Sequence, residues 1–170
     1  GLLRYALRDN NPTIFFEHRN LLDNAWARRP YPGDDYVIPF GVAKHLLQGE
    51  GLTVVSWGAM VERCENAANL FQGQIELLDL RTLSPWDKAA VLASVKKTGR
   101  CLIVHEDNKS AGFGAEIAAV LAAEAFFDLD APIQRLTMPD IPSPHNIHLL
   151  DAAVPSQERI AEAMQNLLEI

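Results

Sequence analysis

The chain has 170 residues and a mass of 18.8 kDa; 48% of it is apolar and 22% charged, and 22 acidic against 15 basic side chains give a net charge of −7. That length holds one domain of ordinary size and little more, and the composition lies far from the polar, highly charged range in which chains stay unfolded. The longest stretch free of charge and proline runs only from Gly51 to Val61, short of the roughly 18 apolar residues that cross a bilayer, and the scattered Lys and Arg residues form no block that would grip nucleic acid or an anionic membrane.

Gly1-Leu2-Leu3-Arg4 carries neither an initiator Met nor a signal-peptide core, so the chain reads as cut from something longer. After the turn cluster Asp9-Asn10-Asn11-Pro12, the β-branched and aromatic run Thr13–Glu17 predicts a short buried strand, although no strand partner lies near it. Residues 18–35, with two prolines and many charges, read as a linker. Leu52–Trp57 is then a strand ending at Gly58. A helix buries Met60, Cys64, Ala67 or Ala68 and Phe71, and stops at Gly73. Ile75–Leu80 is the next strand. Ser84-Pro85-Trp86-Asp87 supplies a cap, a first-turn proline and an acid, so a helix is expected from there to Gly99. The all-apolar Cys101–Val104 is a strand covered on both faces. Another helix spans Gly112 to about Phe127 with Phe113, Ile117, Val120 and Leu121 on one side, and Ile133–Leu136 is a last strand. Asp140–Pro155 reads as a proline-spaced loop, followed by a helix capped by Ser156 that buries Ile160, Met164, Leu167 and Leu168. Alternation of strands with helices predicts an α/β fold: three layers, a mostly parallel sheet and helices on both faces. The two cysteines fall on elements where a reduced thiol acts as an apolar filler, which points to a cytoplasmic compartment.

In such a sheet the functional crevice lies beyond the carboxyl ends of the strands, which directs attention to Gly58, Asp79–Thr82, His105-Glu106-Asp107 and Met138-Pro139-Asp140. His105 and Glu106 are weak candidates for an acid/base pair, against a structural role for a strand-end histidine. Gly112-Phe113-Gly114-Ala115-Glu116 opens a helix but lacks the third glycine of a dinucleotide site and the Gly-Lys-Ser/Thr of a P-loop. Glu116 would repel a phosphate there, so a close-packing turn is the expected reading. His145-x-x-His148 in a proline-rich loop is a poor metal pair, and His18-Arg19 and Arg28-Arg29 read as exposed linker charge. The residues alone show no complete active site.

The ordered segments Asn11–Glu17, Asp35–Gly41, Thr53–Val61, Asp79–Asp87, Ser94–Arg100, Val104–Glu106, Gly112–Ile117 and Asp130–Pro132 resemble the C-terminal half of the beta subunit of thiamine-diphosphate-dependent 2-oxo acid dehydrogenases of the pyruvate and branched-chain types. The resemblance implies a transketolase-like C-terminal domain over residues 36–170, with one antiparallel edge strand, behind a linker at 18–35 and a remnant of a pyrimidine-binding domain at 1–17. It implies a parent enzyme that decarboxylates a 2-oxo acid and passes the acyl group to a lipoyl arm. Thiamine diphosphate and its divalent metal would bind outside this chain, which alone is expected to be inactive. Implied partners are a second copy, an alpha subunit or N-terminal half, and the basic subunit-binding domain of a lipoyl acyltransferase. A eukaryotic parent would lie in the mitochondrial matrix. Expected self-contacts are Arg81, Thr82, Pro85, Trp86, Gly112, Phe113, Gly114 and Glu116; Glu124, Asp128 and Asp130 with the carboxylate of Ile170 are the expected docking patch. Glu17-His18-Arg19 and Pro142-Ser143-Pro144-His145 depart from the family pattern and leave the substrate open. The alternatives are the C-terminal domain of a transketolase or deoxyxylulose-phosphate synthase, and a free-standing flavodoxin-like ligand-binding module.

Overall fold

In the computed structural model, which describes residues 1–170, five strands form one sheet in the order β1-β3-β2-β4-β5. They are β1 (Lys44–Leu47), β2 (Leu52–Ser56), β3 (Ile75–Asp79), β4 (Cys101–Asn108) and β5 (Gln134–Met138). Every neighbouring pair is parallel except β1–β3, so the sheet has the single antiparallel edge strand that the resemblance implies. Seven α-helices accompany it: α1 (Leu2–Ala6), α2 (Arg19–Leu22), α3 (Met60–Ala68), α4 (Lys88–Thr98), α5 (Phe113–Glu124), α6 (Ile147–Ala153) and α7 (Gln157–Leu168).

Alternation along the strands creates two cores. Leu52, Val54, Ile75, Leu77, Leu102 and Val104 point to one face, where α3 and α7 cover them with Met60, Cys64, Ile160 and Met164. Val55, Leu78, Cys101 and Ile103 point to the other, against Val91 and Val95 of α4 and Ile117 and Leu121 of α5. This is the three-layer α/β arrangement. The buried hydroxyls are paired: that of Thr53 lies 2.6 Å from that of Ser94 and 2.8 Å from that of Thr98, joining β2 to α4. Burial raises both free thiols, Cys64 and Cys101, to about 12, so they are neutral fillers.

Several expectations are corrected. Thr13–Glu17 forms no strand and stays exposed, because nothing in the chain offers it a ladder. The cap of α4 is Asp87 and not Ser84: one Asp87 oxygen accepts from the Ala90 N–H at 3.0 Å and the other from the Ala43 N–H at 2.8 Å, so a tertiary contact moves the start. Helix α3 ends at Ala68 with Asn69 as its cap, leaving Gly73 (φ 75°) in the turn that follows, and α5 ends at Glu124 before a 3-10 turn, Phe126–Asp128. Strand β4 continues through His105 to Asn108, and β5 through Met138. The expected loop after Asp140 contains α6, whose cap Asn146 accepts from the N–H groups of His148 and Leu149. Gly99 (φ 68°) and Ser156 terminate and cap as expected.

Candidate functional site at the carboxyl ends of the strands

Strand β2 leads through α3 to β3 on one side, while its other neighbour, β4, is reached through α4. The winding therefore reverses between β2 and β4, where open α/β sheets place their crevices. His105 and Glu106 occupy this point inside β4. Successive strand residues face opposite sides, and the structure separates the two accordingly. His105 is 1% exposed. Its ring stacks on Trp57, which follows β2, at 5.1 Å and 15°. Glu106 instead reaches the segment before α2, where its Oε1 lies 2.8 Å from His18 Nε2. They form no joint acid/base pair.

The Gly-Phe-Gly turn explains itself from the His105 side. A Cβ on Gly112 would sit 2.7 Å from His105 Cε1, and one on Gly114 2.5 Å from its Nε2. Both distances are closer than side chains approach, so Gly114 clears the seat of the imidazole and Gly112 makes room for both the ring and the Asn108 carbonyl. Neither ring nitrogen has a hydrogen-bond partner. Burial holds the His105 pKa below the ordinary 6.5, and Arg135 pushes the same way, against the opposing pull of Asp107. The ring is neutral at pH 7. With the ring in place and Glu116 in the first turn of α5, this helix start does not fit a diphosphate, and no three His, Cys, Asp or Glu side chains converge as metal ligands.

The other expected contact residues form a surface beside this seat. Trp86 and Phe113 meet edge to face at 6.3 Å, and Phe113 meets Trp57 in the same way at 5.9 Å, so an aromatic ladder runs from half-buried Trp86 down to His105. Thr82 holds the turn before α4: its hydroxyl donates to the Pro85 carbonyl at 2.7 Å and accepts from the Gly41 N–H at 2.9 Å. Arg81 has a left-handed backbone (φ 60°), and its N–H, not its guanidinium, donates to Asp79 Oδ1 at 3.0 Å. Burial raises the Asp79 pKa despite that bond. Gly112 and Gly114 are buried under His105; Pro85 and Glu116 are exposed.

The acids at the end of α5 are less isolated than the sequence suggests. Glu124 pairs with Lys88, and Asp128 with Lys96 at 3.7 Å, both lysines coming from α4. Cross-helix pairing therefore accounts for acids near a helix C-terminus without a partner. Ile170 follows α7, in the layer on the opposite face of the sheet, so the expected docking residues are divided between two faces. His148 lies in the first turn of α6 and His145 before it, both exposed.

Sequence reading missed the polar seam of residues 18–27. Asn24 Nδ2 donates to Glu62 Oε2 at 2.5 Å and Trp26 Nε1 to Glu65 Oε2 at 2.6 Å. Glu62 and Glu65 are three apart on α3 and thus on one helix face, a spacing visible in the sequence without its partners. Between this seam and α6 lies a groove of about 740 Å³.

Residues 41–160 match the family model for the transketolase C-terminal domain. Over 99% of its length the chain is 36% identical to the 2-oxoisovalerate dehydrogenase subunit beta of Bacillus subtilis strain 168, covering 52% of that protein. It is 39% identical, again over 99% of its length, to the pyruvate dehydrogenase E1 component subunit beta of Porphyra purpurea, covering 51%. The chain thus spans about half the length of these relatives. Among solved structures, a split-gene transketolase described as an inactive beta4 tetramer superposes with a TM-score of 0.68 at 22% identity, over 79% of this chain and 44% of that one, which shows the shared fold. Matching sheet order, antiparallel edge and family model together, the chain belongs to the transketolase C-terminal domain family.

Proposed function

We propose that the chain is the C-terminal part of the beta component of a 2-oxo acid dehydrogenase, an assembly domain of an enzyme that oxidatively decarboxylates a 2-oxo acid and hands the acyl group to lipoamide. The observation that carries this reading is the 36–39% identity over 99% of the chain to two such subunits. Those two proteins differ in the 2-oxo acid of their names, so the substrate is written as a class. Residues 1–17 belong, on this reading, to the end of a preceding domain, 18–35 to a linker and 36–170 to the assembly domain. The exposed Ile14 and Phe16 support it, being an apolar run that this chain leaves uncovered. Thiamine diphosphate and its divalent metal bind on the parts of the enzyme outside this chain, in the cytoplasm or the mitochondrial matrix.

Self-association uses Arg81, Pro85, Trp86, Phe113 and Glu116, with Thr82 shaping the turn. Support comes from the half-buried aromatic pair Trp86 and Phe113, which meets the surface next to exposed Pro85 and Glu116. Docking of a basic acyltransferase domain falls to Asp130 and the exposed Phe126 and Phe127, with Glu124 and Asp128 already neutralised by lysines and Ile170 contributing from the other face. The test is reconstitution with the complementary N-terminal half and alpha subunit. Pyruvate- or 2-oxoisovalerate-dependent acyl transfer to lipoamide in the assembled enzyme, and none from this chain alone, is the expected result. A chain that never associates with those parts, or that turns over by itself, overturns it.

A further inference from the structure

We propose that the groove at the carboxyl ends of β4 and β5 is a docking site for a short segment of a partner protein in which an arginine or lysine is flanked by aliphatic side chains. The proposal does not depend on the activity of the parent enzyme. The groove lies between the polar seam, the first turn of α3, and the stretch from Ile141 to Val154. Its volume of about 740 Å³ falls within the ~300–1,000 Å³ typical of sites that enclose a ligand.

Charge selects the sign of the occupant. Three carboxylates, Glu62, Glu106 and Asp107, line it outside any Arg or Lys pair, while a fourth, Asp151, is taken by the groove's one guanidinium, Arg63. That guanidinium is committed to its own chain: Nη2 lies 2.6 Å from Asp151 Oδ1, and Nη1 donates to the Pro155 carbonyl at 2.9 Å. The seam touches Glu106 and Glu62 at one oxygen each, through His18 and Asn24, which leaves the second oxygen of each free to accept from a cation. Walls of low dielectric concentrate this negative field inside the cleft.

The apolar part selects a protein segment over a small amine. Buried Met138 and Val154 form the floor, but the rim continues outward through Ile141, 41% exposed, and Ile147, 62% exposed. A lone amine would leave that rim wet; a cationic side chain between aliphatic neighbours covers it while the carboxylates hold the charge.

The test is fluorescence anisotropy with a labelled Leu-Arg-Ile-Arg-Leu peptide and a Leu-Glu-Ile-Glu-Leu control, at low and at physiological salt. The arginine peptide is expected to saturate the 170-residue chain, more weakly as salt rises. Glu106→Gln with Asp107→Asn is expected to weaken it about tenfold, a loss of ~1.4 kcal/mol. Ile147→Ser, at an exposed position that leaves folding intact, is expected to weaken it about threefold, and Glu124→Gln with Asp128→Asn to leave it unchanged. Four results overturn the proposal: no saturation by millimolar peptide, equal binding of the glutamate peptide, binding insensitive to both groove variants, or an equal loss in the variant of Glu124 and Asp128. Tight binding of free arginine methyl ester with no gain from the peptide overturns the protein-segment assignment.

Discussion

The first 48 residues and the remainder differ in one respect that composition does not show. No residue before Gly49 is buried, whereas all 41 buried residues lie from Gly49 onward. Both regions contain runs rich in branched and aromatic side chains. In the second, each run has a neighbour at strand spacing and a helix to close over it. In the first, the edge strand β1, with half-buried Leu46 and Leu47, leans on the core; the rest holds by isolated contacts: Arg4 donates to the Tyr31 hydroxyl at 2.7 Å, Tyr5 meets Phe40 at 4.8 Å, and His18, Asn24 and Trp26 hold carboxylates. Apolar text becomes core only where a second surface exists to receive it.

The sharpest way to break that contrast is to remove volume from each region. Leu102→Ala, at a fully buried position of β4, is expected to lower the unfolding free energy by about 2–5 kcal/mol in urea titration. A loss below about 1 kcal/mol would mean the second region is not packed as described. Next in size is Gly114→Val, whose Cβ would meet the His105 ring; a loss of about 1–3 kcal/mol is expected. Adding His105→Ala should recover part of it, and strict additivity in the double-variant cycle would show that the ring is not what the glycine accommodates.

A smaller effect follows from the titration of His105. Its folded pKa lies below the ordinary 6.5, so the unfolded chain binds more protons in that window. The contribution is fully present above pH 6.5 and is lost as pH falls through the folded value. His105→Leu should flatten the slope of stability against pH there, and an unchanged slope would move the titration to another group. Asp79, with a raised pKa, acts in the opposite sense at lower pH, losing stability as pH rises from 3.8. The smallest effect belongs to the first region. Ile14→Ser with Phe16→Ser is expected to alter the stability of this chain by less than about 0.5 kcal/mol, by thermal or urea unfolding. The same pair should weaken association with a complementary half by tenfold or more if that surface is the one they cover.

Much of this was legible in the residues. The helices of the two layers follow from spacings such as Met60, Cys64 and Ala67, or Ile160, Met164 and Leu167, and the parallel strands from their continuous apolar runs. What escaped had a physical reason in each case. Lys44–Leu47 pairs on one edge only, so four mixed residues carry no strand signature. His105–Asn108 is polar, yet its backbone ladder continues past an irregularity to Met138. Helix α6 is framed by Pro142, Pro144 and Pro155, which mask a short amphipathic turn. The role of Trp57 as a platform for His105 was invisible because it joins residues 48 positions apart. Family resemblance, in contrast, was carried by ordered short segments and owed nothing to these contacts.

The two thiols offer a clock for the opening of the core. Cys64 and Cys101 are fully buried and sit on opposite sides of the sheet, one in the layer of α3 and α7, the other beneath α4 and α5. With both held at about 12, neither reacts as a thiolate while the layers stay closed. Each therefore alkylates at the rate at which its own layer lifts from the strands. Equal labelling rates would describe a molecule that opens as one cooperative unit, and unequal rates would rank the two helical layers by their freedom to detach.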